Sequence, residues 1–62
     1  MNTTDKILAA LREGQQTAEQ LSRTSLLSAS QVSSALRVLQ NRGNVGYLIE
    51  NGQRFYYLTG GE

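Results

Sequence analysis

The 62 residues suffice for one small domain with a thin core, since so short a chain buries only about 60% of the surface exposed when unfolded. The chain has no cysteine and no histidine, which excludes disulfides, thiolate or imidazole metal ligands and histidine acid–base chemistry. Its net charge of +1 does not by itself indicate a nucleic-acid partner, although Glu50 is the only acid between Arg23 and Arg54.

The first predicted element is a helix over residues 4–13. Thr3 or Thr4 is the expected N-cap, and Gly14 is the expected stop because glycine adopts the left-handed conformation at low cost. The apolar side chains of this segment are spaced so that they form one face, and they are Ile7, Leu8 and Leu11.

Two capping-box patterns predict the next two helices. Thr17 with Gln20, and Ser28 with Gln31, have the spacing at which a cap hydroxyl and a glutamine satisfy each other's backbone N–H groups. These patterns predict helices over residues 18–23 and 29–42, the second ending at Gly43. The inward stripe of the third helix is Val32, Ala35, Leu36 and Leu39.

After Gly43 the pattern alternates with a period of two, which is typical of strands. Asn51-Gly52 predicts a two-residue type I′ turn, because both of its central residues need a positive φ. This turn sets the pairs Val45 with Leu58, Tyr47 with Tyr56, Leu48 with Phe55, and Ile49 with Arg54. The tail, Thr59 to Glu62, is expected to fray.

The order of elements predicts an α+β fold, in which three helices precede a two-stranded hairpin and pack on one core. The short second helix, its tight connection and the long third helix match the helix-turn-helix arrangement. The expected core comprises Ile7, Leu8, Leu11, Leu21, Leu26, Val32, Leu36, Leu39, Val45, Tyr56 and Leu58. One winged-helix domain spanning residues 1–62 is expected, with an ordered part at 4–59 and a frayed tail at 60–62.

The run from Thr17 to Ser22, the Val32-Leu36-Leu39 stripe and the glycine-flanked hairpin resemble winged helix-turn-helix transcription regulators, in particular MarR-like and ArsR-like ones. The resemblance covers residues 4–59 and implies DNA binding. Two departures stand out: the helix-turn-helix connection has no glycine, and the cysteine or histidine ligands of ArsR-like metal sensors are missing. The winged helices that bind Z-DNA match less well, because Ser33 and Arg37 stand where those carry asparagine and tyrosine.

The polar face of helix 29–42 carries the residues expected to meet DNA in the major groove. Small serines allow close approach to the groove, Arg37 has the geometry for a bidentate contact with guanine, and an outward Gln31 for one with adenine. Arg54, in the wing segment 51–54 just after the turn, is the candidate for contact with adjacent DNA backbone or the minor groove. The candidate DNA-binding set is Ser28, Ser30, Gln31, Ser33, Ser34, Arg37, Asn41 and Arg54. An ordinary solvated face, helix capping by Ser28 and a solubilising role for Arg54 remain the alternatives.

The hairpin is apolar on both faces, whereas a half-buried hairpin should be apolar on one. Leu48, Phe55 and Tyr57 are therefore candidates for a protein contact, either in a homodimer or with another protein. A winged-helix adaptor that binds protein is accordingly the second functional hypothesis.

The remaining expectations are negative. The five acids are scattered and no nucleophile–base set or phosphate-binding loop is present, so no enzyme, cofactor or metal site is expected. No apolar stretch approaches the roughly 20 residues that cross a bilayer and no signal peptide is evident, so a cytoplasmic location without membrane contact is expected.

Overall fold

The computed structural model describes residues 2–60, which form three helices followed by an antiparallel hairpin. This order confirms the predicted fold class. The elements are α1 (Thr3–Leu11), α2 (Ala18–Ser25), α3 (Ala29–Arg42), β1 (Val45–Glu50) and β2 (Gln53–Leu58).

The two predicted capping boxes are present. The Thr17 hydroxyl accepts from the Gln20 amide at 3.1 Å while the Gln20 side chain accepts from the Thr17 amide at 2.9 Å, and Ser28 and Gln31 repeat this exchange. The predicted cap of α1 was wrong: Asn2, not Thr3 or Thr4, accepts from the Asp5 amide at 2.9 Å. Asparagine is among the best N-caps, and with Asn2 as the cap the helix begins at Thr3, one residue earlier than expected.

The turn between α2 and α3 differs from the prediction. α2 continues to Ser25 and ends at Leu26, which takes the left-handed conformation at φ 57°. Leu26 was predicted to be in the core, but its side chain is 90% exposed. The left-handed residue reverses the chain, so that Leu27 takes the inward position and its amide donates to the Ser22 carbonyl at 3.1 Å.

The hairpin has the predicted register throughout. Asn51 and Gly52 have φ values of 53° and 79°, as a type I′ turn requires, and they connect β1 to β2. At the other end, Gly43 closes α3 at φ 80° and the Asn44 amide donates to the Leu39 carbonyl at 2.9 Å, which sets the direction of β1.

The core is formed by all three helices and one end of the hairpin. Leu58 was predicted to belong to it but is 38% exposed, because it lies over an open groove between α1 and α3. Ala10, one turn after Ile7, is buried although it was not predicted to be. Leu8 is only partly buried. The buried side chains are Ile7, Ala10, Leu11, Leu21, Val32, Ala35, Leu36, Leu39, Val45 and Tyr56.

The segment between α1 and α2 holds the hairpin through Gln16. Its amide and carbonyl pair with those of Tyr56 at 3.1 and 2.7 Å, which forms an isolated antiparallel bridge beside β2. Its side-chain amide donates to the Ala10 carbonyl at 2.6 Å and accepts from the Thr24 hydroxyl at 3.2 Å. One polar side chain thus joins α1, α2 and β2.

The predicted fraying of the tail was wrong for its first residue. The Thr59 amide donates to the Asn44 carbonyl at 3.0 Å and its hydroxyl donates to the Gly43 carbonyl. Thr59 therefore fastens the end of β2 to the end of α3. Gly61 and Glu62, the last two residues of the predicted tail, lie outside the described residues.

Candidate nucleic-acid interface

The outward face of α3 is polar and exposed to solvent. The five residues that the sequence predicts to point outward are all exposed, and they are Ser30, Ser33, Ser34, Arg37 and Asn41. The opposite face is held by four buried residues, so the orientation of α3 is fixed by packing and not by the polar residues themselves. The helix surface is therefore a rigid strip of three serines with one cation near its middle.

Arg37 is available to an external ligand. Within residues 2–60 the one ion pair joins Arg23 and Glu19 on α2, at 3.1 Å. Arg37 is exposed and lies one turn after Ser33 and Ser34, both of which are small. Its guanidinium can therefore reach beyond the helix surface without a competing carboxylate.

Ser28 and Gln31 cap the N-terminus of α3. The Gln31 Oε1 atom accepts from the Ser28 amide at 3.0 Å, and the Ser28 hydroxyl accepts from the Gln31 amide at 3.1 Å. The side-chain oxygens of both residues therefore cap α3. Bidentate reading of adenine by Gln31 needs this oxygen, so such a contact would require the capping box to open.

Two tyrosines hold the side chain of Arg54 in place on the hairpin of β1 and β2, which is the wing of the fold. Its guanidinium carbon lies 4.4 Å from the ring centre of Tyr47, which is a cation–π contact. Its Nη1 atom donates to the Tyr56 hydroxyl at 3.5 Å, which is long for a hydrogen bond, so the stacking on Tyr47 is the stronger restraint. The hydrogen bond to Tyr56, followed by charge interactions with that tyrosine, raises the pKa of Arg54 above its ordinary value.

The position of Arg54 is more specific than its place in the sequence suggests. It pairs with Ile49 and shares the face of the hairpin that carries Tyr47 and Tyr56, the side turned toward the helices. With Thr17 and Gln53 it lines an open groove of about 350 Å³ between the wing and the start of α2. The cation therefore faces the helix-turn-helix unit and does not project from the turn itself.

Tyr47 is the site residue that the sequence analysis missed. The predicted register already paired Tyr47 with Tyr56 and Ile49 with Arg54, which makes Tyr47 and Arg54 diagonal neighbours on one face. Diagonal neighbours lie within reach of long side chains, so this register was the available signal. Tyr47 and Tyr56 also contact each other, with ring centres 6.0 Å apart.

The outer face of the wing is partly exposed and apolar. Leu48 and Tyr57 are 38% and 37% exposed, and Phe55 is half-buried. The Tyr57 ring lies over Gly46, where an added Cβ would come within 3.2 Å of the ring. Gly46 thus leaves room for this ring, and the three predicted residues form a continuous apolar surface across both strands.

Neither a metal-ligand cluster nor a membrane-spanning helix is present in the part of the chain that the structure describes. No group of three or more acidic, cysteine or histidine side chains in residues 2–60 is arranged to hold a metal ion. Over the same residues, none of the helices has the length and apolar character needed to cross a bilayer.

Comparison with known protein families identifies the helical part. A model of the RNA polymerase III subunit RPC82 helix-turn-helix domain matches residues 5–50, which is well over half of the chain. The chain belongs to this helix-turn-helix family. The match ends at the last residue of β1, so the return strand of the wing lies beyond it. No curated protein matches the sequence.

Solved structures extend the likeness of this helix-turn-helix chain across the wing. The transcriptional repressor BigR from Xylella fastidiosa is 26% identical, with a TM-score of 0.87, over 94% of this chain and 57% of its own. A MarR-family transcriptional regulator from Silicibacter pomeroyi is 25% identical, with a TM-score of 0.86, over 97% and 43%. The homodimeric winged helix-turn-helix DNA-binding domain Mb0332 from Mycobacterium bovis, described as a possible ArsR-family regulator, is 22% identical, with a TM-score of 0.85, over 94% and 54%.

These likenesses confirm the winged helix-turn-helix fold and the resemblance to MarR-like and ArsR-like regulators. The chain spans about half the length of the structures it matches. The proteins that it resembles are transcription regulators, and none of the three is named as an enzyme.

Proposed function

We propose that this chain binds double-stranded DNA as a transcription regulator or accessory factor, with α3 in the major groove and Arg54 against neighbouring backbone or minor groove. The observation that carries the proposal is the exposed strip of α3, in which small serines surround an arginine without an ion pair in the described residues. Helices of this type present their outward residues to base edges in winged helix-turn-helix proteins.

Arg37 has the central role in this proposal. It is the one cation on the outward strip, and serines on the preceding turn allow the helix to approach the groove closely. We assign it to base contact, whereas Ser30, Ser33, Ser34 and Asn41 serve backbone or base contacts around it. Ser28 and Gln31 act mainly by fixing the start of α3.

Arg54 has a different role. Because Tyr47 stacks on its guanidinium, less side-chain freedom is lost when it meets a phosphate than for a free arginine. We expect it to contribute to affinity on any DNA sequence and little to sequence preference.

The binding of one copy is expected to be weak. A single module of this kind covers only about 600–1,000 Å² of DNA-facing surface. A relative is described as homodimeric, and a second copy of this chain would place a second α3 on the same DNA.

The experiment is a titration of the purified chain into fluorescent random duplex DNA at low and moderate salt, followed by anisotropy. Arg37→Ala is expected to weaken binding by about a few-fold, because random duplex DNA reports the loss of its charge from the interface and not the loss of a specific base contact. Arg54→Ala is expected to weaken binding at all sequences and to reduce the salt dependence by about one released counterion. Lys6→Ala removes the same charge from the exposed side of α1 and serves as the matched control.

Two results would contradict the proposal. One is the absence of salt-sensitive binding at low salt, where phosphate contacts are strongest. The other is equal weakening by Lys6→Ala and Arg37→Ala, which would mean that only net charge matters. NMR amide shifts confined to residues 30–41 and 51–54 would support it.

The second candidate function is that of a protein-binding adaptor. The apolar outer face of the wing favours it, because Leu48, Phe55 and Tyr57 are partly exposed and the net charge is only +1. If the unsubstituted chain gave no anisotropy change with duplex DNA, this second function would be favoured. Leu48→Ser would then be the variant expected to abolish binding of a protein partner.

A further inference from the structure

The hairpin has two edges, and the fold covers only one of them. Along β2, the backbone N–H and C=O groups of Tyr56 both bond to Gln16, at 2.7 and 3.1 Å. Along β1, by contrast, β2 and α3 are the only helices or strands of residues 2–60 in contact with the strand. Val45 at its start is buried, whereas the following residues are not. The outer edge of β1 therefore faces solvent from Tyr47 to the turn.

The hydrogen-bond pattern of the hairpin shows which backbone groups point to this open edge. In an antiparallel pair, directly opposite residues alternate between bonding to each other and turning their backbone groups outward. Tyr56 turns outward, to Gln16, so its partner Tyr47 turns outward on the other side, and so does Ile49 two residues later. No other main-chain group of residues 2–60 bonds to the outward groups of Tyr47 or Ile49. Each of these two residues thus presents an unpaired donor and an unpaired acceptor.

Nothing in β1 blocks the addition of another strand. Natural edge strands are commonly protected by a lysine, a proline or a bulge. β1 has none of these, because residues 45–49 are uncharged and their register with β2 is continuous. The side chains on both faces of the edge are apolar, since Tyr47, Leu48 and Ile49 are 44%, 38% and 65% exposed. The single charge of the strand is Glu50, beside the turn.

We propose that β1 accepts an extended segment of a partner protein as an added antiparallel strand. The main chain of that segment bonds to Tyr47 and Ile49, and its side chains alternate between the face of Ile49 and the face of Leu48. Because the added strand is antiparallel, its first residue lies beside Glu50, which has no ion pair within residues 2–60. The partner segment is therefore apolar and β-forming, and it begins with a lysine or an arginine.

The charge of Glu50 also decides between a partner protein and a second copy of β1. β1 itself carries no cation that could lie beside Glu50 of another copy. A basic residue in a partner segment satisfies this carboxylate, which stays exposed and unpaired in the isolated chain. The open edge is therefore complementary to a different sequence and not to its own.

This inference goes beyond DNA binding and does not depend on it. The edge lies on β1, whereas the strip with Ser33 and Arg37 lies on α3. The edge gives the protein-binding alternative a defined mode of contact, because Leu48 belongs both to the edge and to the apolar outer face of the wing. A failed DNA titration would leave the inference unaffected, since the two activities are measured with different ligands.

The test is an anisotropy titration of the full chain into a labelled synthetic peptide, Lys-Val-Leu-Val-Thr-Thr. In the antiparallel register its lysine lies beside Glu50 and its two valines lie opposite Ile49 and Tyr47. Methylating the amide nitrogens of both valines removes their hydrogen bonds to β1 and is expected to raise the dissociation constant at least about tenfold. Methylating the leucine and the first threonine instead alters amides that point away from β1, so this peptide is the matched control and should still bind.

A pair of protein variants tests the same edge from the other side. Ile49→Lys puts a cation on the edge, near the lysine of the peptide, and should also raise the dissociation constant at least about tenfold. Gln15→Lys adds the same charge at an exposed position away from β1 and should bind the peptide as the parent does. Circular dichroism of both variants reports on the fold, and the methylated peptides test the edge without any change to the protein.

Amide hydrogen exchange followed by NMR gives a second readout. In the free chain the Leu48 amide, which bonds within the hairpin, should exchange slowly, while those of Tyr47 and Ile49 exchange fast. Bound peptide should slow both of the latter. The proposal would be overturned by absence of peptide binding or by equal binding of the two methylated peptides. Slow exchange of Tyr47 and Ile49 that appears with rising protein concentration alone would also overturn it, by assigning the edge to a second copy.

Discussion

The two ends of the hairpin have the same alternating sequence pattern but opposite environments. On the face turned toward the helices, Val45 is 4% exposed, Tyr47 44% and Ile49 65%. Burial falls along the strand because α1 and α3 cover only the end next to Gly43. A period of two thus indicates which face a residue occupies, whereas the distance from the helices decides whether that face is covered.

The two ends also differ in how they are fastened. The covered end is held by the backbone pairing of Gln16 with Tyr56 and by Thr59, which joins it to the end of α3. The tip is held only by its turn and by cross-strand contacts such as that of Arg54 with Tyr47. Substitutions at the covered end are therefore expected to change stability, and those toward the tip to change binding.

The largest effect is expected at Tyr56. Tyr56→Ala removes a side chain that is 7% exposed and should lower the free energy of unfolding by about 3–5 kcal/mol. Its neighbour Tyr57 faces the other way and is 37% exposed, so Tyr57→Ala should cost about 1 kcal/mol. Urea unfolding followed by circular dichroism measures both, and equal losses would mean that the two faces of β2 are equally buried.

A smaller loss of stability is expected at Gln16. Gln16→Ala leaves the backbone pairing with Tyr56 in place but removes the side-chain hydrogen bonds to Ala10 and Thr24, and it should cost about 1–3 kcal/mol. Gln15→Ala, at an exposed neighbouring position, is the control and should change stability by less than about 0.5 kcal/mol. The same urea titration measures both variants, and equal free energies of unfolding for Gln16→Ala and Gln15→Ala would contradict this role.

The smallest effect is expected toward the tip. Tyr47→Leu keeps an apolar side chain but removes the ring beneath Arg54, which should cost about 0.5–1 kcal/mol of DNA affinity, a few-fold in the dissociation constant. Stability should change little because Tyr47 is 44% exposed. Anisotropy titrations of Tyr47→Leu, Arg54→Ala and the double variant measure the coupling, and additive losses would show that the two residues act independently.

Much of the fold could be predicted from local sequence signals. The capping boxes at Thr17 and Ser28 and the turn at Asn51-Gly52 each depend on a few neighbouring residues, and the structure contains all three. The buried stripe of α3 followed from helical periodicity, which also left the serines and Arg37 outward. The predicted face of the candidate site is therefore present in the fold, while its contacts with DNA stay predictions.

Other features depended on residues distant in sequence. Leu26 and Leu58 are as apolar as the leucines of the core, but one follows a left-handed turn outward and the other faces a groove. In the sequence Gln16 is a polar loop residue, and only the fold shows that it pairs with Tyr56 of β2. The sequence shows Arg54 only as a charge near a turn, and the fold brings it over Tyr47 and into the groove beside the start of α2.

The sequence by itself determined the three helices, the N-caps of α2 and α3, the hairpin register and the faces on which side chains lie, because hydrogen bonding within a turn or across a tight hairpin is local. The tertiary structure alone decided which of those faces are covered, how Gln16 and Thr59 fasten the wing, and where a groove remains between α1, α3 and β2. Those outcomes depend on how far each helix extends over its neighbours, and packing of elements that are distant in the chain sets that distance.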